Sequence, residues 1–177
     1  ATVSDLRVAV NLSARQFREK NMLARIDSAL RDSGLHPDNL EIEITESMLM
    51  DNVEEVITIL NQIKYRGISI ALDDFGTGYS SLSVLKEFPI DTLKVDQSFI
   101  RDLVLDSQDA QIVTAIISMA QSLDLKVVAE GVENRDQLEF LKDKKCNMIQ
   151  GYYYSKPLSA DDFTQLLTEG REVLKIE

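Results

Sequence analysis

The chain has one cysteine, Cys146, one histidine, His36, and no continuous apolar stretch of the length a bilayer demands. A lone cysteine cannot close an internal disulfide, which fits a reducing cytosol. His36 sits alone in GLHPDN, far along the chain from Cys146, so no His/Cys set for zinc can be assembled. A membrane-spanning helix needs about 20 predominantly apolar residues. No run here approaches that, and no signal-peptide pattern opens the chain. Positive charge is scarce too: 19 Lys and Arg stand against 30 Asp and Glu, a net charge of −11, with no basic run. Long nucleic acid is therefore not an expected partner, because its phosphates would need a basic surface. A small phosphorylated ligand is compatible if metal ions supply the positive charge. Low-complexity tracts and linkers are absent, so residues 1–177 are expected to form a single domain.

What is present alternates. Short apolar runs, LRVAV (6–10), LEIEI (40–44), ISIAL (68–72), TLKV (92–95), KVVA (126–129) and NMI (147–149), predict buried strands. Between them lie helical patterns. FREKNMLARIDSALRDSG carries an apolar stripe of Leu23, Ile26 and Leu30, with Gly34 as its stop. DNVEEVITILNQIKYRG repeats the device, with Asp51 or Asn52 as N-cap and Gly67 as the stop. Three further helices are expected from SQDAQIVTAIISMAQSLDL, NRDQLEFLKD and SADDFTQLLTEGREVLK.

Strand and helix in alternation imply parallel strands with right-handed crossovers, in either a barrel or an open doubly wound sheet. The polar residues favour the barrel. Each strand ends in chemically capable side chains: Asn11 and Ser13, Glu43 and Glu46, Asp73 and Asp74, Lys94 and Asp96, Glu130 and Glu133, then Gln150. Barrel enzymes collect their sites from the C-terminal ends of many strands. The expected fold is thus an α/β, TIM-like (β/α) barrel. It is incomplete, since a full barrel has eight strands and about 250 residues and roughly 70 are lacking here. The chain opens almost directly in a strand without an initiator Met, so a fragment of a longer protein is expected, with its N-terminal part missing.

Carboxylates and one amide offer hard oxygen ligands, suited to Mg²⁺, Mn²⁺ or Ca²⁺. Adjacent carboxylates such as Asp73 and Asp74 repel unless a cation lies nearby. They also permit one to bridge two metals while the other completes the second site. Such a pair of ions activates water and stabilises an in-line phosphoryl displacement. Lys94 would orient that water, and Glu130 or Glu133 would take its proton. Singly, each motif has a blander explanation. An Asp pair at a strand end is more often a cap or a solvated turn, the alternation in LEIEI suits a half-exposed strand, and Asn134 could simply cap a helix. The bland readings fail jointly, because surface accidents would scatter to both strand ends.

NLSARQF, EIEITES, LDDFGTGYSSL, LKVDQSFI, VAEGVEN and QGYYYSKPL, in this order and spacing, closely resemble the EAL phosphodiesterase domain. That resemblance implies hydrolysis of the bacterial second messenger cyclic di-GMP to linear pGpG with Mg²⁺ or Mn²⁺, Ca²⁺ being a candidate inhibitor. It implies that Asn11, Glu43, Asp73 and Asp74 are metal ligands, with Asp73 the bridge. Lys94 would touch the attacking water and Glu130 would be the general base or a water-positioning carboxylate. Glu133 and Gln150 would be supporting groups, and Asp96 and Tyr154 would lie near substrate. It further implies that Glu46 holds the loop after Asp74, and that Phe75, Gly76, Gly78 and the segment to Lys86 couple the site to a homodimer interface. Sensory or GGDEF-type domains in the parent chain, and a cytoplasmic location, with or without a membrane anchor in that parent, belong to the same expectation. The Glu-Ala-Leu tripeptide that names the family does not occur here. Its strand would precede Ala1, so weak or no turnover is expected of residues 1–177 by themselves, unless a second chain restores that strand. Two alternatives remain open on residues alone: a non-catalytic sensor of cyclic di-GMP, and a Mg²⁺-dependent barrel lyase with Lys94 as base.

Overall fold

Residues 6–50, 52–78, 85–103 and 107–168 are described in a computed structural model, and they fall into two compact units. The first comprises residues 1–94 with 123–125, the second 95–122 with 126–177.

The first unit contains β1 (Val8–Asn11), β2 (Leu40–Thr45), β3 (Ser69–Phe75) and most of β4 (Thr92–Val95), adjacent in that order. β1 runs parallel to β2 and β2 to β3, pairing Asn11 with Glu43 and Thr45 with Asp73. Helices α1 (Ala14–Phe17), α2 (Met22–Ser33) and α3 (Val53–Tyr65) make the connections. The helix expected over FREKNMLARIDSALRDSG is shorter, α2 alone, and the first residue of that segment, Phe17, instead closes the separate short helix α1. Ser13 starts α1 through a capping box with Gln16, so the helical turn begins before Phe17 and lapses before Met22. Gly34 closes α2 in the left-handed conformation (φ 69°), as its position after the last apolar residue predicts. Asn52 occupies the N-cap position of α3 but at φ 46°, where its side chain makes no cap bond and instead donates to Glu55. Asp51 lies outside the described residues.

Burial differs between strands that read alike. Leu40 to Ile44 are all buried, including Glu41 and Glu43, so the half-exposed reading of LEIEI fails. β1, first in the strand order of the described residues, is the opposite: Val8 and Val10 are 50% and 44% exposed. Ile63, Ile70, Leu72 and Leu93 are fully buried and form the centre of this unit. Each contributes about 1.5–3 kcal/mol relative to exposure.

The second unit holds α4 (Gln97–Arg101), α5 (Ser107–Ser122), β5 (Lys126–Glu130), α6 (Arg135–Asp143), β6 (Met148–Gln150) and α7 (Ala160–Thr168). β5 and β6 are parallel, with Glu130 level with Gln150. Val113, Ala120, Val127, Ala129 and Leu141 are fully buried. Cys146 is buried beside them, its thiol donating to the Met148 carbonyl, and burial pushes its pKa up to about 11. Of the closing helix expected to reach Lys175, the part beyond Thr168 lies outside the described residues. No helix among the described residues is long and apolar enough to cross a membrane.

Candidate active site

In the first unit, three of the expected residues meet. The Lys94 ammonium lies 2.9 Å from Glu43 Oε1 and 3.0 Å from Asp73 Oδ1. The side chains of Lys94, Glu43 and Asp73 are 6%, 9% and 13% exposed, so this is a nearly dry ion cluster. Strand pairing explains it. Glu43 lies two residues before Thr45, which is paired with Asp73, while Lys94 comes from neighbouring β4. Side chains two apart on a strand share a face, so Glu43 and Thr45 point the same way. Asn11 is paired in register with Glu43 and is exposed at the end of β1. Removing one partner of a buried ion pair leaves an uncompensated charge, which is strongly unfavourable. Lys94 therefore holds two carboxylates together that would otherwise repel.

Asp74 does not end the strand, as the apolar pattern suggested; β3 continues through it to Phe75. It adopts φ 55°, a left-handed conformation that aspartate tolerates better than most residues. Its backbone N–H donates to Asp73 Oδ1 at 3.1 Å, which restrains that carboxylate. The turn that follows is held from a distance. Glu46, 4% exposed just after β2, accepts hydrogen bonds from the N–H groups of Gly76 and Gly78 at 3.3 and 3.2 Å, both on Oε2. A Cβ on Gly78 would lie 2.7 Å from the Glu46 carboxylate, which explains the glycine. These bonds reach as far as Gly78; residues 79–84, part of the expected coupling segment, lie outside the described residues.

In the second unit, Glu130 and Gln150 sit level at the ends of β5 and β6, and Glu133 is exposed on the turn between β5 and α6. Asp96 caps α4, accepting from Ser98 N at 2.9 Å, so part of its role is structural. The Tyr154 ring stands edge-on to Tyr153 at 5.4 Å, and burial, with a smaller contribution from Tyr153, raises its pKa. Asn134 caps α6 in a capping box with Gln137, the bland part of the AEGVEN reading, and it coexists with the polar strand end.

Two groups escaped sequence reasoning. Glu41 Oε2 accepts from Arg7 and from fully buried Thr92, both at 3.1 Å, in a polar layer one strand-repeat from Glu43 and Lys94. The Glu-x-Glu spacing in LEIEI and the Thr-x-Lys spacing in TLKV carry a local trace of it. The second is Gln137, legible only as a helix cap.

The described residues define the class: a βα protein with polar side chains at the C-terminal ends of successive strands, the arrangement in which barrel enzymes build their sites. The chain belongs to the EAL domain family, whose model matches residues 2–157. It is 48% identical over 153 residues to the cyclic di-GMP phosphodiesterase NbdA of Pseudomonas aeruginosa, covering 86% of this chain and 20% of the relative. The solved structure of the PaMucR phosphodiesterase in complex with c-di-GMP aligns at a TM-score of 0.88 and 43% identity, over 92% of this chain and 66% of that one. A manganese/cy-diGMP complex of Klebsiella pneumoniae BlrP1 aligns at 0.79 and 31%, over 85% and 39%. The fold class is therefore the α/β, TIM-like barrel of that family, of which six strands lie in the described residues. The chain spans between 19% and 24% of the length of curated relatives it matches.

Proposed function

We propose that this chain is the catalytic domain of a metal-dependent phosphodiesterase that hydrolyses cyclic di-GMP to linear pGpG. The observation that carries it is the dry cluster of Glu43, Asp73 and Lys94, with Asn11 and Asp74 beside two of its members. The oxygen donors of the proposed site fit hard divalent cations by their chemistry: they are the carboxylates of Glu43, Asp73 and Asp74 and the Asn11 amide, more negative charge than the one Lys94 ammonium neutralises. Relatives described as cyclic di-GMP phosphodiesterases, and neighbours solved with c-di-GMP and manganese, support the substrate and the metal.

Asn11, Glu43, Asp73 and Asp74 would hold the ions, Mg²⁺ or Mn²⁺, with Ca²⁺ competing as an inhibitor. When bound, two such ions supply an activated water and neutralise charge on the phosphodiester. Lys94 orients the water from between Glu43 and Asp73. Glu130 accepts its proton as the oxygen adds to phosphorus and the opposite P–O bond breaks. Glu133 and Gln150 steady that carboxylate and the phosphate, and Asp96 and Tyr154 border the substrate. Phe75, with Gly76 and Gly78 that are tied to Glu46, would transmit dimerisation to the metal ligands. The short share of each relative's length that is matched supports further sensory or GGDEF-type domains in the same protein, which would work in the cytoplasm.

The test is to incubate the intact protein with cyclic di-GMP and Mn²⁺ and follow products by ion-exchange chromatography. Linear pGpG is expected, abolished by chelation and by Asp73→Asn. Tight binding without cleavage would replace the enzyme with a sensor, and no binding would remove the substrate altogether.

A further inference from the structure

Gln137 is a polar side chain only 3% exposed, on the first turn of α6, and both ends of its amide are engaged. Its Oε1 accepts from the backbone N–H of Glu133 at 2.8 Å and of Asn134 at 3.2 Å. Its Nε2 donates to the carbonyls of Ile100, at 2.9 Å, and Arg101, at 3.3 Å. A helix cap needs only the first of these sets. The second reaches back 37 residues to the end of α4, the helix that Asp96 starts.

The segment it grips is packed tightly on its other sides. Gly131 is at φ 71°, and a Cβ there would lie 2.6 Å from the Gln97 side chain. Val132 donates its N–H to the Gln150 carbonyl at 3.1 Å and accepts from Tyr153 N at 2.9 Å. A Cβ on Gly151 would lie 2.2 Å from the Val132 carbonyl oxygen. The turn after β5 is thus the junction at which α4, β5 and β6 meet, and the residues proposed for water and phosphate (Glu130, Glu133, Gln150) flank it. Its Glu133–Asn134 end is joined to α4 through the buried Gln137 amide.

We propose that Gln137 is a positioning residue: its buried Oε1 grips the backbone N–H groups of Glu133 and Asn134 and so fixes the turn that carries Glu133 beside Glu130 and Gln150, while its Nε2 bonds to the end of α4 stabilise the junction. The inference rests on the phosphodiesterase reading. Misplacement of a catalytic group by about 1 Å can cost on the order of 100-fold in rate, so a clamp outside the site can govern turnover.

Two replacements separate positioning from mere stability. Gln137→Glu keeps the acceptor facing Glu133 and Asn134 but turns an oxygen toward the Ile100 and Arg101 carbonyls, so it destabilises while preserving the grip on the turn. Gln137→Met fills the space and keeps neither grip. In the intact protein, kcat is expected to stay within about three-fold for Gln137→Glu and to fall about ten-fold or more for Gln137→Met, with KM little changed. The melting temperature is expected to fall further for Gln137→Glu. Amide hydrogen exchange at Glu133 and Asn134 should accelerate in Gln137→Met alone. Activity that follows stability, with Gln137→Glu the poorer enzyme, would overturn the proposal, as would unchanged kcat in both. Faster exchange in Gln137→Met from a wild-type protein that leaves cyclic di-GMP uncleaved would overturn the phosphodiesterase reading and the catalytic role with it, while the clamp itself stood.

Discussion

Glu46 sets a turn that begins 30 residues downstream, with one carboxylate oxygen and two backbone N–H groups. Charge-assisted bonds of this kind are stronger than neutral ones, and here they fix the chain immediately after two proposed metal ligands. The glycine at 78 leaves room for that carboxylate. Gly78→Ala should push the Glu46 carboxylate aside, releasing the turn without disturbing the core. Hydrolysis is expected to fall about ten-fold while the melting temperature moves little; paired kcat and thermal unfolding measurements check this. A large loss of stability instead would make Gly78 a folding residue. The residues of the site were visible in the sequence as a pattern, polar groups at successive strand ends, yet their joining was not. That Lys94 reaches both Glu43 and Asp73 depends on the register of three strands, which no local spacing encodes. The left-handed Asp74 was equally hidden, because aspartate in a strand pattern carries no sign of positive φ.

Elements were more legible than their burial. Apolar runs located all six strands of the described residues, and glycines marked the ends of α2 and α3, since period and stop signals are local. Burial is set by neighbours distant in the chain, so β1 and β2, alike in pattern, came out exposed and buried. Helix α2 is tied to the end of α3 by a forked pair, Arg66 Nε and Nη2 to the two oxygens of Asp27 at 2.6 and 3.0 Å. The hydrogen bond from Arg66 holds the Asp27 carboxyl below its ordinary range. A carboxyl with a lowered folded pKa stabilises the fold above its unfolded value, near 4, and that contribution disappears as pH falls through the folded value. Asp27→Asn should therefore cost about 0.5 kcal/mol near neutral pH, the modest size expected of a partly exposed pair. Urea unfolding should show wild type and variant converging in acid; a constant difference across that range would assign the effect to packing instead.

At the scale of the whole molecule, the substrate proposed for a chain of net charge −11 is itself an anionic dinucleotide. The sequence offers no basic run to hold it, and the proposed site is lined by carboxylates. Divalent cations reconcile these facts, and they are the central claim. The measurement that tests it most directly is anomalous X-ray scattering from crystals of the protein grown with Mn²⁺. Peaks within coordination distance of the Asp73 and Asp74 carboxylates are predicted, and their loss in Asp73→Asn. Mn²⁺ found only elsewhere, with Lys94 still bridging Glu43 and Asp73, would contradict the account.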